Sequence, residues 1–168
     1  DTRWDMTYLG MQIMVEGLAL AAFGFMQQMT TEPLLKKLLR YVMSDEARHV
    51  AFGVLSLREY YAELTDAEIF ERQQFAFEAG VRMRDRFLQQ EVWERMGMNV
   101  KEAIQATMAV PERDLFQMML FSKIVPNAKK LGLLDRNDSW LRRRYEELGV
   151  INFEDLVDTG NESDNFSL

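Results

Sequence analysis

Glu46 and His49 carry the clearest potential for chemistry in this sequence, since they stand three residues apart in the stretch Ser44-Asp45-Glu46-Ala47-Arg48-His49. On a helix, residues at this spacing lie on one face, about 5–6 Å apart at Cβ. A carboxylate and a neutral imidazole placed in this way can bind one metal ion, as they do in metal sites inside helix bundles. The pair therefore predicts a metal-ligand motif.

Glu16 is a third candidate ligand, because it is the only charged residue between Met6 and Met29, in the most apolar part of the chain. The helical stretch that carries Glu46 and His49 also has an apolar stripe, and both residues fall on it. An unpaired charge in a protein interior costs several kcal/mol, so ionisable groups on buried stripes need an explanation. The stripe on the helical stretch that carries Glu46 and His49 consists of Leu35, Leu38, Leu39, Val42 and Gly53.

The spacing around the turn at Thr31 predicts that the three candidate ligands meet. Thr31 is a plausible N-cap, and Pro33 suits the first turn of the helix that follows. Glu16 lies 15 residues before Thr31 and Glu46 lies 15 residues after it. At about 1.5 Å per residue, each is roughly 22 Å from the turn, so an antiparallel hairpin brings them to one height. Two facing carboxylates repel each other, and a bound cation would remove that conflict.

These three residues can also be interpreted without a bound metal. Glu16 could extend its carboxylate to solvent, Glu46 could be solvated, and His49 could be a hydrogen-bonded core histidine. This reading accounts for each residue separately, but it gives no reason for the matched height of all three.

Glu16, followed after 28 residues by Asp45-Glu46-x-x-His49, resembles the second half of the ferritin-like di-iron oxygenase site. The nearest group is the p-aminobenzoate N-oxygenase-like family, and the matching region runs from about Trp4 to Tyr61. The resemblance implies an all-α, ferritin-like helix bundle that binds two iron ions. Manganese accepts the same ligand types. It further implies that O₂ is used to oxidise a small organic substrate, by N-oxygenation or hydroxylation.

The same resemblance assigns roles to individual residues. Glu16 and Glu46 would be carboxylate ligands, and His49 the nitrogen ligand of one iron. Asp45 would accept the far N–H of the bound imidazole and so orient it. Residues one or two turns from Glu16 would line the site and its access channel, and these are Gln12, Leu20 and Phe23.

The chain contains one histidine, whereas a full site of this type takes a Glu and a Glu-x-x-His from each of two helix pairs. The other helix pair could precede Asp1 in a longer protein, could come from a second chain in a homodimer, or could be missing from a vestigial site. Because the sequence starts at Asp1 without a methionine, we expect a fragment. Two further functions stay open, a non-catalytic helical dimerisation module and a ferroxidase.

Composition limits the class of protein. The 168 residues, 48% of them hydrophobic, suit one helical domain over 1–157, and residues 158–168 are expected to form a mobile acidic tail. The net charge of −7 argues against a nucleic-acid partner, and the absence of cysteine excludes disulfides and fits a cytoplasmic protein. Glu16 interrupts the longest apolar stretch, so we expect a core helix there and no membrane span.

The domain is expected to consist of a half-site helix pair over 4–64 and additional helices over 65–148. Thr65 and Glu68 form a capping-box pattern that opens a third helix, which should run to about Met96 and end at Gly97. Shorter helices are expected over 100–110, 112–125 and 140–148, the second of them bent or ended by Pro126. Glu78 should pair with Arg82, and residues 142–144 with Glu146 and Glu147.

Overall fold

The computed structural model describes residues 2–156, and every regular element within that range is helical. This confirms the prediction of an all-α chain. In chain order the elements are α1 Trp4–Tyr8, a π-helical segment Leu9–Val15, α2 Glu16–Met29, α3 Pro33–Glu63, α4 Asp66–Arg86, α5 Gln90–Arg95, α6 Val100–Met108, α7 Pro111–Lys130, α8 Arg136–Glu147 and a 3₁₀ turn Ile151–Phe153.

The stretch Trp4–Met29 forms one continuous helix that packs antiparallel to α3. The ring of Trp4 lies 5.0 Å from that of Tyr60 at one end of the hairpin. At the other end, Gln27 Nε2 donates a hydrogen bond to the Lys36 carbonyl at 3.5 Å. The predicted hairpin is therefore present, and its two helices lie side by side from one end to the other.

The turn of this hairpin differs from the prediction by one residue. Glu32, and not Thr31, caps α3, because its carboxylate accepts a hydrogen bond from the Leu34 N–H at 3.0 Å. Thr30 Oγ1 accepts from the Glu32 N–H at 3.2 Å, which holds the capping residue in place. Pro33 occupies the first turn, as predicted.

The core lies between the Trp4–Met29 helix, the second half of α3, and α4 and α7. Leu9 and Leu20 are buried in it, as predicted. In contrast, the stripe predicted for the first half of α3 is only partly buried: Leu39 is buried, but Leu35 is 37% exposed and Leu38 is 55% exposed. The elements within residues 2–156 leave one side of this part of α3 uncovered, so the prediction of burial was wrong for Leu35 and Leu38.

The third helix begins as predicted and ends early. The Thr65 hydroxyl and the Glu68 carboxylate form the capping box that opens α4. The helix then ends at Arg86, and Gln89 adopts a left-handed conformation with φ of 52°. Trp93 donates its indole N–H to the Leu88 carbonyl at 2.8 Å and so fixes the bend. A separate helix, α5, follows and reaches Arg95.

The C-terminal helices pack against α4 through buried polar anchors. Gln73 Nε2 donates to the carbonyls of Leu133 and Arg136, at 2.6 and 3.0 Å. Arg136 in turn donates to the Tyr61 and Leu64 carbonyls at the end of α3. These bonds tie the α7–α8 connection to the end of the hairpin.

Two other predictions about the C-terminal part have mixed outcomes. Helix α7 continues through Pro126 to Lys130, so this proline does not end it. The backbone of residues 137–139 is left-handed, and regular helix therefore begins at Trp140, which is the predicted start.

The predicted surface ion pairs are partly present. Glu78 pairs with Arg82 at 3.4 Å and Arg144 with Glu147 at 2.8 Å, as expected. Arg142 instead pairs with Asp135 and Glu154, both at 2.8 Å.

By length and composition, the helix Trp4–Met29 could also cross a membrane. In the structure it packs against α3 and α7 within the bundle, which is the position expected of a core helix. The absence of a membrane span stays a prediction. The expected acidic tail over 158–168 lies outside the described residues.

Candidate metal centre

The hairpin brings Glu16, Glu46 and His49 together. His49 Nδ1 lies 3.8 Å from Glu16 Oε1 and 3.5 Å from Glu46 Oε2. One donor atom from each residue can be chosen so that all three lie within 4.8 Å of one another. Two carboxylates and one imidazole at this spacing surround a volume that one metal ion could occupy.

The backbone immediately before Glu16 is π-helical over Leu9–Val15, and α2 begins at Glu16 itself. A π-helical turn inserts an extra residue and turns the following side chains around the helix axis. Such segments occur frequently at functional sites. The position of Glu16 relative to the buried face of its helix therefore depends on this segment, which the apolar pattern did not predict.

A close helix contact lies one turn beyond His49. At Gly53, an added Cβ would lie 2.5 Å from the Cβ of Gln12, well inside van der Waals contact. Only a glycine lets the two helices approach so closely. Gln12 and Gly53 thus set the separation of the helices beside the candidate ligands.

The three side chains are exposed to different degrees. Glu16 retains 17% of its side-chain exposure and Glu46 retains 24%, whereas His49 retains 60%. The prediction that His49 lies on a buried stripe was wrong, because the described part of the chain does not cover this side of α3. The cluster is open towards the uncovered side of the hairpin.

The electrostatics of Glu16 reflect its partial burial. Desolvation raises the pKa of its carboxyl above the ordinary value and the nearby Glu46 raises it further, while His49 opposes the shift. Its Oε2 atom is buried and has no hydrogen-bond partner within residues 2–156. A carboxylate oxygen without a donor in this position suits a cation, which would neutralise the Glu16–Glu46 repulsion.

The donor set itself limits the metals that fit. Carboxylate oxygens and an imidazole nitrogen bind Fe²⁺, Mn²⁺ and Zn²⁺, and soft thiolate ligands are absent because the chain has no cysteine. Three protein ligands are fewer than the four to six that such ions take, and the sequence contains no other histidine. The residues present therefore fit a single metal ion, whose remaining coordination positions would be taken by water or by groups other than these three side chains.

Asp45 lies on the exposed side of α3. Its carboxylate accepts a hydrogen bond from Arg48 Nη1 at 2.7 Å, and both side chains are about two-thirds exposed. Among the described residues, this ion pair is the contact that Asp45 makes. A role for Asp45 in orienting His49 stays a prediction.

The three residues expected to line the site lie in different environments. Gln12 is half-buried one turn before Glu16, and its buried Oε1 has no partner within the described chain. Leu20 is part of the core, and Phe23 is half-buried. A lining role for these residues stays a prediction.

A large apolar cavity, of about 420 Å³, lies on the other side of α2. Phe25, which lines it, is nine residues after Glu16 and therefore about 180° around an ideal helix. This cavity lies behind α2 and is not the channel expected beside Glu16. The other residues that line it are Ala22, Met26, Arg84, Phe87, Thr107, Val110, Glu112, Arg113, Phe116, Gln117 and Leu120.

Comparison with known proteins adds no family assignment, because no protein-family model, curated protein or solved structure matches this chain.

Proposed function

We propose that this chain binds a divalent metal ion through Glu16, Glu46 and His49, and that it supplies one half of a ferritin-like di-iron oxidase or oxygenase site. One observation carries the proposal: donor atoms from two helices, two carboxylates and an imidazole, lie within 4.8 Å of one another. The buried and unpartnered Glu16 Oε2 supports it, because a bound cation would satisfy this atom.

The protein groups would act by holding the metal. Glu16 and Glu46 would provide oxygen ligands of opposite helices, and Nδ1 of His49 is the ring nitrogen nearest to both. The half-buried position of the carboxylates limits water access to them and strengthens their attraction for a cation. Iron bound there would supply the reaction with O₂ that oxidises a small organic substrate.

A metal titration tests the binding step directly. The chain, freed of metal, would be titrated anaerobically with Fe²⁺, and bound iron per chain measured after gel filtration. We expect saturable binding that Glu16→Ala and His49→Ala each weaken by at least the roughly 10–100-fold that is typical when only a residue supporting a metal ligand is lost. Glu78→Ala, which removes an exposed carboxylate on α4, serves as the matched control and should bind like the parent. Equal binding by all four chains would contradict the proposal.

The oxidase step needs its own measurement. The iron-loaded chain would be exposed to O₂ with an arylamine as a model substrate, and O₂ consumption and oxidised amine would be followed. Oxidised amine that depends on His49 would support an oxygenase. Consumption of O₂ with Fe³⁺ retained and no oxidised amine would instead indicate a ferroxidase, and no consumption would contradict both.

The exposed apolar side chains on α3 favour a second candidate, a non-catalytic dimerisation module. In such a module Glu46 has no metal to bind, so Glu46→Ala should not lower the melting temperature whether metal is present or absent. In a metal site the same substitution lowers the melting temperature only when metal is added, because ligand binding stabilises the native state. Melting temperatures of the Glu46→Ala chain, measured with and without metal, therefore distinguish the two functions.

A further inference from the structure

The candidate ligands lie next to a face of the hairpin that carries several exposed apolar side chains. We define the ligand face as Trp4, Tyr8, Leu35, Leu38, His49 and Phe52. Leu38 precedes His49 by 11 residues, about three helical turns, so both lie on one side of α3. Leu38 is 55% exposed and Phe52 is 58% exposed. Exposed apolar side chains grouped in this way are typical of surfaces that contact another protein, a membrane or a ligand.

Aromatic contacts extend the ligand face across both helices of the hairpin. The Tyr8 ring lies 6.3 Å from that of Phe52 and 5.5 Å from that of Trp4. Phe52 follows His49 by three residues and is therefore its neighbour on α3. The aromatic row therefore lies beside the candidate ligands, and the exposed ion pair of Asp45 and Arg48 lies between them and Leu38 along α3.

The donor count indicates what would cover this face. One copy of the chain provides two glutamates and one histidine, and a second copy doubles the set to four glutamates and two histidines. Two-metal sites in helix bundles use this same set, with a Glu from each of two helices and a Glu-x-x-His from each of the other two. A twofold axis places identical patches opposite each other, so a second copy would present its own ligand face to the first.

We propose that two copies of this chain pair through their ligand faces in a metal-dependent manner, each contributing Glu16, Glu46 and His49 to a shared two-metal site. The inference rests on the proposed metal binding by these residues. Without metal, two facing clusters would bring four carboxylates together, and their repulsion would oppose pairing. With metal, binding and pairing stabilise each other, so the assembly state depends on the metal.

Sedimentation of the 168-residue chain with Co²⁺ or with a chelator tests the pairing. Co²⁺ is the probe because it accepts the same ligands and its visible absorption reports the coordination number. We expect a monomer with chelator and a dimer with Co²⁺, at one Co²⁺ per chain. His49→Ala should stay monomeric and lose the absorption band, whereas the Glu78→Ala control should dimerise.

The substitution Leu38→Glu tests the contribution of the apolar side chains to pairing, because it leaves all three candidate metal ligands in place. The site is exposed, so the substitution should leave the fold intact, as circular dichroism would verify. The expected result is a chain that stays monomeric in Co²⁺ and binds it at least about tenfold more weakly, because the second ligand set is lost.

Each alternative outcome has a separate meaning. A monomer that binds Co²⁺ through His49 would overturn the pairing and leave the proposed metal binding intact, with the remaining ligands coming from elsewhere. No His49-dependent binding in any assembly state would overturn the proposed function itself. A dimer of equal stability with chelator and with Co²⁺ would show that pairing is independent of the metal, and so would overturn the inference.

Discussion

Gln12 and Gly53 are in direct contact across the hairpin, because the Cβ of Gln12 lies 2.5 Å from the point where a side chain at residue 53 would begin. The obstructing atom is the Cβ of Gln12, whose position is set by the backbone, so it cannot rotate aside. Since His49 is four residues before Gly53 and Glu16 is four residues after Gln12, this contact also sets the distance between the candidate ligands.

Gly53→Ala should therefore separate the helices and destabilise the fold. Overpacking of this kind typically costs about 1–3 kcal/mol, and metal binding should weaken with it. Urea denaturation and Co²⁺ titration would measure both effects. In the matched control Gly80→Ala, the new Cβ makes only ordinary contact, at 3.5 Å from Phe121. Gly80 is inside α4, so the control should be neutral or stabilised, and equal loss in both variants would contradict the argument.

Asp5 and Arg72 form a buried ion pair, at 2.9 Å, that fastens α1 to α4. Asp5→Ala should cost about 3–5 kcal/mol, because it leaves a buried guanidinium without its partner carboxylate. Chemical denaturation would measure the loss. Glu71→Ala is the control: Glu71 contacts Arg72 and also pairs with Arg3, but its carboxylate is at the surface in both of these ion pairs, so its removal should cost less, about 1 kcal/mol. A similar loss of unfolding free energy in the two variants would show that the buried ion pair stabilises the fold no more than the exposed contacts do.

Glu16→Gln should have opposite effects with and without metal. Burial and Glu46 raise the pKa of the Glu16 carboxyl, which means that its ionised form is destabilising in the folded chain at neutral pH. In chelator, the amide should therefore raise the melting temperature. In Co²⁺ the parent chain should have a higher melting temperature than the Glu16→Gln chain, because an amide is a poorer metal ligand than a carboxylate. Differential scanning calorimetry in both conditions checks this, and a variant that melts lower in both would contradict it.

Glu154 should stabilise the fold at neutral pH and cease to do so in acid. Hydrogen bonds from Arg142, then Lys129, lower the pKa of Glu154 from 4.5 to about 2. A lowered folded-state pKa gives stability that is present above pH 4.5 and is lost as the pH falls towards 2. Glu154→Gln should therefore melt about 2–4 °C below the parent near neutral pH, a value reduced for solvent screening.

The difference in melting temperature should narrow as the pH falls through this range, where the parent carboxylate becomes protonated. Glu146→Gln, at an exposed position on α8, is the control and should give a difference that does not change with pH. A Glu154→Gln difference that stays constant down to pH 2 would contradict the assignment of the pKa shift.

The sequence determined the local features of this protein. The apolar period and the scarcity of prolines predict helices, because helical burial repeats every 3.6 residues. The capping box at Thr65 and Glu68 was visible because it depends on residues three apart. The meeting of Glu16 with Glu46 and His49 was also predictable, since helical rise is constant and both helices start from one short turn.

Only the tertiary structure decided which faces are covered. Leu38 and His49 lie on an apolar stripe that resembles a core stripe, but burial depends on whether another element packs there. The bond between Asp5 and Arg72 joins residues 67 positions apart, and no local pattern relates them. The π-helical turn before Glu16 and the close contact at Gly53 likewise have no counterpart in the apolar pattern of either helix. Periodicity describes one helix at a time, whereas the position of a ligand and its exposure to solvent depend on several helices together.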